Sequence, residues 1–152
     1  MTKDEYIEAK RVQYALIQKH VELFSPNCIS FDYPVGWNEI VREAFEFCEA
    51  NGHDIKILQL KEKFGDLRIY TQIQEGYQES EKFNANYKAF NEITGRAYTT
   101  CAICGKPSTC MTTGWITPRC DEHENWKYPD GVMDEPEGMY GNILKMIRGQ
   151  HD

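Results

Sequence analysis

No stretch of this chain approaches the roughly 18 consecutive apolar residues that a membrane-spanning helix requires. Basic charge is also scarce. Seventeen Lys and Arg stand against 24 Asp and Glu, a formal net charge of −7, and that field repels a phosphate backbone. The deficit is uneven: residues 61–100 balance at 6 and 6, so a phosphate group would be met there if anywhere. The opening residues, Met1-Thr2-Lys3-Asp4-Glu5-Tyr6, carry acids and no apolar stretch, unlike a secretory leader. The expected address is therefore the cytoplasm, with no membrane partner.

Catalytic signatures are missing too. The sequence has no G-x-x-x-x-G-K-S/T phosphate loop, no G-x-G-x-x-G, no H-E-x-x-H and no G-x-S-x-G. The zinc-deaminase pattern fails because His123 directly precedes Glu124 and Thr100, not proline, stands before Cys101. His53-Asp54 follows Gly52 at a predicted helix end and reads as turn residues before it reads as an acid–base pair. No catalytic residue is assigned.

What is present fits one domain. The 152 residues suffice for a sizeable core without disulfides, and aromatics at 12% weigh against disorder. Tyr6, Ile7, Tyr14, Ile17, Val21 and Phe24 recur at helical spacing and predict a helix over 4–24, stopped by Ser25-Pro26-Asn27. A second helix is expected over 37–50, with Trp37 as a core anchor, Ile40, Val41, Ala44, Phe45 and Cys48 on its apolar face, and Asn51-Gly52 as C-cap. Ser80 is the candidate N-cap of a third helix, 80–97, with Phe83, Tyr87, Phe90 and Ile93 as its stripe.

Residues 55–73 read as a β-hairpin about Gly65-Asp66, a turn of the Gly-X type. Counting outward pairs Phe64 with Leu67, Lys63 with Arg68, Glu62 with Ile69 and Lys61 with Tyr70. Alternation then places Leu58, Leu60, Phe64, Leu67, Ile69 and Ile73 on the buried face, with Glu62 as a misfit. Lys61, Lys63, Arg68 and Tyr70 share the other. That face is read as a candidate ligand- or partner-binding surface, weighed against an ordinary solvated sheet face.

The strongest signal is Cys101-Ala-Ile-Cys104-Gly105 followed by Cys120-Asp-Glu-His123, a C-x2-C-x15-C-x2-H pattern. Three thiols and an imidazole in two close pairs suit a structural, tetrahedral zinc with no vacant position. Thioredoxin-like redox chemistry leaves Cys120 and His123 unexplained, and a disulfide framework does not suit the expected compartment. Thr117-Pro118 is expected to open a helix carrying Cys120 and His123, which makes a treble-clef-like zinc finger over 99–127. Cys28, Cys48 and Cys110 stand outside the set; Cys48 reads as core.

Gly36-Trp37, Lys61-Glu62-Lys63-Phe64-Gly65 with Leu67-Arg68-x-Tyr70, Cys101-x2-Cys104-Gly105-x-Pro107 and Gly114-Trp115-x-Thr117-x2-Cys120-x2-His123 together resemble a group of small bacterial and phage proteins. The resemblance spans about residues 34–123, and the K-E-K-F-G-x-L-R-x-Y block is its specific part. It implies origin more than mechanism.

The expected fold is α+β: helices packed on a small antiparallel sheet, with the zinc finger included in one domain, 1–127. Residues 128–152 are expected to form an acidic, Pro- and Gly-containing tail with a short helix near 141–148, the run Asp130 to Glu137 being solvated. The leading function is a non-enzymatic interaction protein, phage-encoded and binding a host protein. The alternative is a nucleic-acid- or nucleotide-binding module using Lys61, Lys63, Arg68 and Tyr70.

Overall fold

The structure, a computed structural model, describes residues 1–51, 56–72, 81–128 and 138–149. His53, Asp54, Ile73, Ser80 and the run Asp130 to Glu137 lie outside the described residues.

The first helix, α1 (Lys3–Lys19), starts where Thr2 Oγ1 accepts the Glu5 backbone N–H at 3.2 Å, and Asp4 and Glu5 sit in its first turn. Its buried stripe is Tyr6, Lys10, Gln13, Tyr14 and Ile17. Two polar residues in that stripe find partners for their nitrogens, although Gln13 Oε1 is buried without one. Lys10 Nζ meets Asp32 Oδ1 at 2.8 Å, and Gln13 donates to the Tyr33 carbonyl. The helix ends five residues before Phe24, the end expected from its spacing. A 3-10 turn over Val21–Leu23 follows, and Phe24 is extended, fully buried and bridged in parallel to Ile57. His20 fixes the break: it is buried, pairs with Glu49 and lies over the Phe45 ring at 5.3 Å.

Helix α2 (Asn38–Ala50) buries the predicted Ile40, Val41, Ala44, Phe45 and Cys48. It closes on Asn51, whose Nδ2 donates to the Phe47 carbonyl at 2.8 Å. Burial pushes the Cys48 thiol up to about 12, so this cysteine is packing material. Helix α3 (Glu81–Gly95) sets Phe90 and Ile93 against Ala44, Cys48 and Ile69.

The sheet contains β1 (Ser30–Phe31), β2 (Lys56–Lys63) and β3 (Asp66–Gln72), in that spatial order. The hairpin is antiparallel as expected, but β1 adds to β2 in parallel, with Ser30 beside Gln59 and Phe31 beside Leu60. A strand of two residues gives too short an alternation to be seen in a sequence.

The hairpin turn sits one residue earlier than Gly65-Asp66. Phe64 (φ 53°) and Gly65 (φ 82°) both take left-handed conformations, the requirement of a turn whose twist matches the strands. Glu62 Oε1 accepts the Gly65 N–H at 2.7 Å and so accounts for its own misplacement on the apolar side. The observed pairs are Lys63 with Asp66, Glu62 with Leu67, Lys61 with Arg68, Leu60 with Ile69 and Gln59 with Tyr70. Moving the turn by one residue leaves each residue's parity unchanged, so Lys61, Lys63, Arg68 and Tyr70 still share a face. Lys63, however, stands opposite a carboxylate and not opposite Arg68. Phe64 is at the turn and 69% exposed, contrary to its predicted burial. A bulge between Ile57 and Gln59 displaces Leu58 and gives its buried position to Ile57.

Helix α4 (Met139–Arg148) belongs to the main core. Ile143 and Ile147, four apart, are buried there, and Tyr140 stacks on Phe31 with ring centroids 4.3 Å apart. The expected short helix is present, and its apolar face is covered by α1 and the sheet instead of facing water. Ile147→Ala is therefore expected to destabilise the protein by about 2–5 kcal/mol. Urea denaturation reads this directly; an unchanged midpoint would return α4 to the status of a solvated tail.

Candidate metal centre

The segment Cys101–Gly105 forms a tight knuckle. The Gly105 N–H donates to the Cys101 carbonyl at 3.0 Å, the Cys101 N–H donates to the Lys106 carbonyl at 2.7 Å, and Gly105 has φ +82°. A short hairpin follows, β4 (Cys110–Met111) against β5 (Pro118–Arg119), with Cys110 opposite Arg119 and Met111 opposite Pro118. Thr112 closes it by accepting the Thr117 N–H on Oγ1 at 2.8 Å. Pro118 is thus a strand residue, not the start of a helix. Cys120 caps a single 3-10 turn, Asp121–His123, and the chain is non-helical from there through Tyr128. One tight turn brings residues three apart to the same side, so the second ligand pair needs no longer helix.

Cys101, Cys104, Cys120 and His123 converge, with all four ligand atoms within 4.8 Å of one another. Cys104 Sγ lies 3.7 Å from Cys120 Sγ, and His123 Nδ1 lies 3.3 Å from Cys120 Sγ and 3.9 Å from Cys101 Sγ. A tetrahedral ion with metal–sulfur bonds near 2.3 Å and metal–nitrogen bonds near 2.0 Å sets these edges at about 3.5–3.8 Å. The three measured edges lie close to that range, so the donor set could hold a metal ion, with His123 Nδ1 as the nitrogen that faces the thiols.

The electrostatics favour ligation. Burial acts to raise the Cys101 thiol, but backbone groups of Cys104, Ile103 and Cys120, with the Cys104 thiol, bring it below the ordinary range. Burial pushes Cys104 up to about 11, so without a cation the cluster resists full ionisation. A bound cation supplies the charge that lets the thiols ionise together. Burial and the Met1 amino group lower His123, keeping it in the neutral form that binds metal.

Three supports around the cluster are not apparent in the ligand spacing. Arg119 is buried at 6% exposure; its Nη1 donates to the carbonyls of His123 and Trp126, each at 2.9 Å, and Nε donates to Thr117 Oγ1 at 3.1 Å. It fixes the turn that carries His123 and places a positive charge near that imidazole. Its position directly before Cys120 is the signal that could have found it. Trp126 lies over the cluster and donates from Nε1 to the Met1 carbonyl at 2.8 Å. Gly36 is the third: a Cβ built there would fall 2.2 Å from the Cys101 carbonyl oxygen and 2.6 Å from the Ala102 carbonyl carbon. Only glycine lets the loop before α2 touch the knuckle, where the Gly36 N–H donates to the Ala102 carbonyl at 2.9 Å.

The candidate basic face is divided between two depressions. Lys61 lines a cleft of about 520 Å³ with Tyr6, Lys10, Asp32, Trp115 and Tyr128. Arg68 and Tyr70 line a groove of about 390 Å³ against α3, and Arg68 Nη2 lies 3.5 Å from Asp66. Lys63 is exposed at the end of β2. Of the other cysteines, Cys28 is buried, and Cys110 contacts the Arg119 carbonyl at 3.6 Å.

Arg119→Met keeps the volume and removes the charge and the donors. It is expected to weaken metal binding about 10–100-fold in a competition with a chromogenic chelator. Unaltered affinity would show that the ligands alone position His123.

The chain matches no family model, and neither the curated proteins nor the solved structures yield a match.

Proposed function

We propose that this chain is a non-enzymatic, zinc-stabilised interaction protein. The observation that carries the reading is the convergence of three thiols and an imidazole: four protein donors would fill the tetrahedron of a bound ion and leave no position for water or substrate. Thiolate-rich tetrahedral geometry favours zinc over harder, octahedral ions. The metal's task is then structural, and the surface does the work.

The geometry also supports a protein partner. A Cβ built on Gly65 would lie 3.5 Å from Pro118 Cδ and 3.6 Å from the Ile116 carbonyl oxygen, so the ends of the two hairpins meet. There Phe64 is 69% exposed, Trp115 75% and Ile116 39%. Phe64 holds a left-handed backbone that costs a non-glycine residue about 1–2 kcal/mol, and it holds it at an exposed position. Adjacent exposed apolar side chains on tight turns are suited to burial against another protein. The chain's resemblance to small phage and bacterial proteins agrees with a phage-encoded chain acting on a host protein. No helix among the described residues is long and apolar enough to cross a membrane.

Native against denaturing mass spectrometry of the untagged protein, isolated from the cells that make it, tests this reading. The expected result is one zinc and a co-purified protein at fixed stoichiometry, released from a Phe64→Ala, Trp115→Ala double variant. A bound nucleotide or oligonucleotide would instead favour the face of Lys61, Lys63, Arg68 and Tyr70. A chain without metal would overturn the account.

A further inference from the structure

Strand β3 has β2 on one side and, among the described residues, no strand on the other. Five consecutive residues of it, Asp66 to Tyr70, line the groove of about 390 Å³ whose far wall is α3. Side chains of a strand alternate between faces, so a depression that touches five residues in a row runs along the strand's edge. The edge of a strand is where its backbone groups point.

The hairpin register tells which groups those are. In an antiparallel pair closed by a two-residue turn, the closing residues form a hydrogen-bonded pair, and such pairs then alternate. With Lys63 opposite Asp66, the bonded pairs are Lys63 with Asp66, Lys61 with Arg68 and Gln59 with Tyr70. The N–H and C=O groups of Leu67 and Ile69, which line the groove, and of Thr71, the next residue past its end, are therefore directed away from β2. Among the described residues no backbone hydrogen bond outside the hairpin engages them. Leu67 and Ile69 pack their side chains inward, so the strand carrying these groups is fixed to the core.

We infer that this groove receives an extended polypeptide segment of the partner, which adds to β3 as a further strand of the sheet. The inference rests on the interaction reading above and names a second contact for it. Backbone pairing supplies the register, and the walls supply selection. Tyr70 and Tyr87, 43% and 49% exposed, flank the groove, and Phe90, 7% exposed, is also part of its wall. An apolar side chain on the incoming strand fits between the tyrosines. At about 3.4 Å per residue, five lining residues accommodate a segment of about five residues. Helix α3 prevents a broad sheet surface from docking edge to edge, which separates a single inserted strand from open-ended aggregation.

The test selects binders from a displayed library of random nine-residue peptides against the full, metal-loaded chain. Hydrogen exchange is then followed with the best synthetic peptide and with its counterpart N-methylated at alternate residues. The expected result is slowed exchange at the Leu67, Ile69 and Thr71 amides, and loss of binding for one N-methyl pattern. Asn91→Trp, an exposed change on the helix wall, should fill the groove and weaken the peptide about tenfold or more; Thr71→Pro, which removes one edge donor and no ladder bond, should weaken it several-fold. Failure to select any peptide, exchange protection elsewhere, or full affinity in Asn91→Trp would overturn the inference. If Asn91→Trp also retains a co-purified protein with the wild-type affinity and stoichiometry, the groove is wrong and the interaction reading stands. A chain that selects no peptide and carries no protein loses both.

Discussion

The contact of Gly36 with the Cys101–Ala102 backbone is the constraint on which the rest of the structure depends. No side chain fits between the two segments, so the main core and the Cys/His cluster meet backbone to backbone. The next residue, Trp37, is fully buried and donates from Nε1 to the Thr100 carbonyl at 3.0 Å. One dipeptide thus starts α2, fills the core and binds the knuckle. A metal ion held by Cys101 and Cys104 would pull the same knuckle from its other side. The domain is accordingly two packed units joined by a junction that tolerates little displacement.

A similar economy governs the hairpin. Glu62 turns back to satisfy the Gly65 N–H, and Gly65 lies against Ile116 and Pro118 of the β4–β5 hairpin. The Glu62, Phe64 and Gly65 positions of the K-E-K-F-G block are therefore explained by the turn they build. Lys63 closes the turn opposite Asp66, while Lys61 looks into the cleft that Tyr6, Asp32 and Trp115 also line. Charges that looked like one basic patch are spread over neighbouring depressions with carboxylates beside them. That arrangement suits a mixed polar and aromatic protein interface better than a phosphate track.

Helices α1 and α2 and the ligand set were legible because their signals are periodic or spaced. Ile40, Val41, Ala44 and Phe45 repeat at helical intervals, and paired Cys/His residues at x2 spacing have few other uses. The hairpin was legible, but its register was not. Left-handed Phe64 breaks the usual preference for glycine or asparagine, and the cap that stabilises it comes from a side chain two residues earlier. The break at His20 and the docking of α4 escaped for a different reason: each is fixed by residues distant in sequence, Glu49 and Phe45 for the one, Phe31 and Tyr14 for the other. Arg119 was overlooked because a buried guanidinium is exceptional, and its carbonyl partners exist only once the 3-10 turn has formed.

The central claim is that the metal cluster and the core are one cooperative unit joined at Gly36–Trp37. Exchange of the Trp37 indole N–H, compared by NMR between metal-loaded and chelator-treated protein, tests it most directly. The account predicts slow exchange in the loaded protein, and fast exchange together with lost protection in α2 when the metal is removed. An indole proton and an α2 equally protected in both samples would show that the core stands without the metal, and would contradict the account.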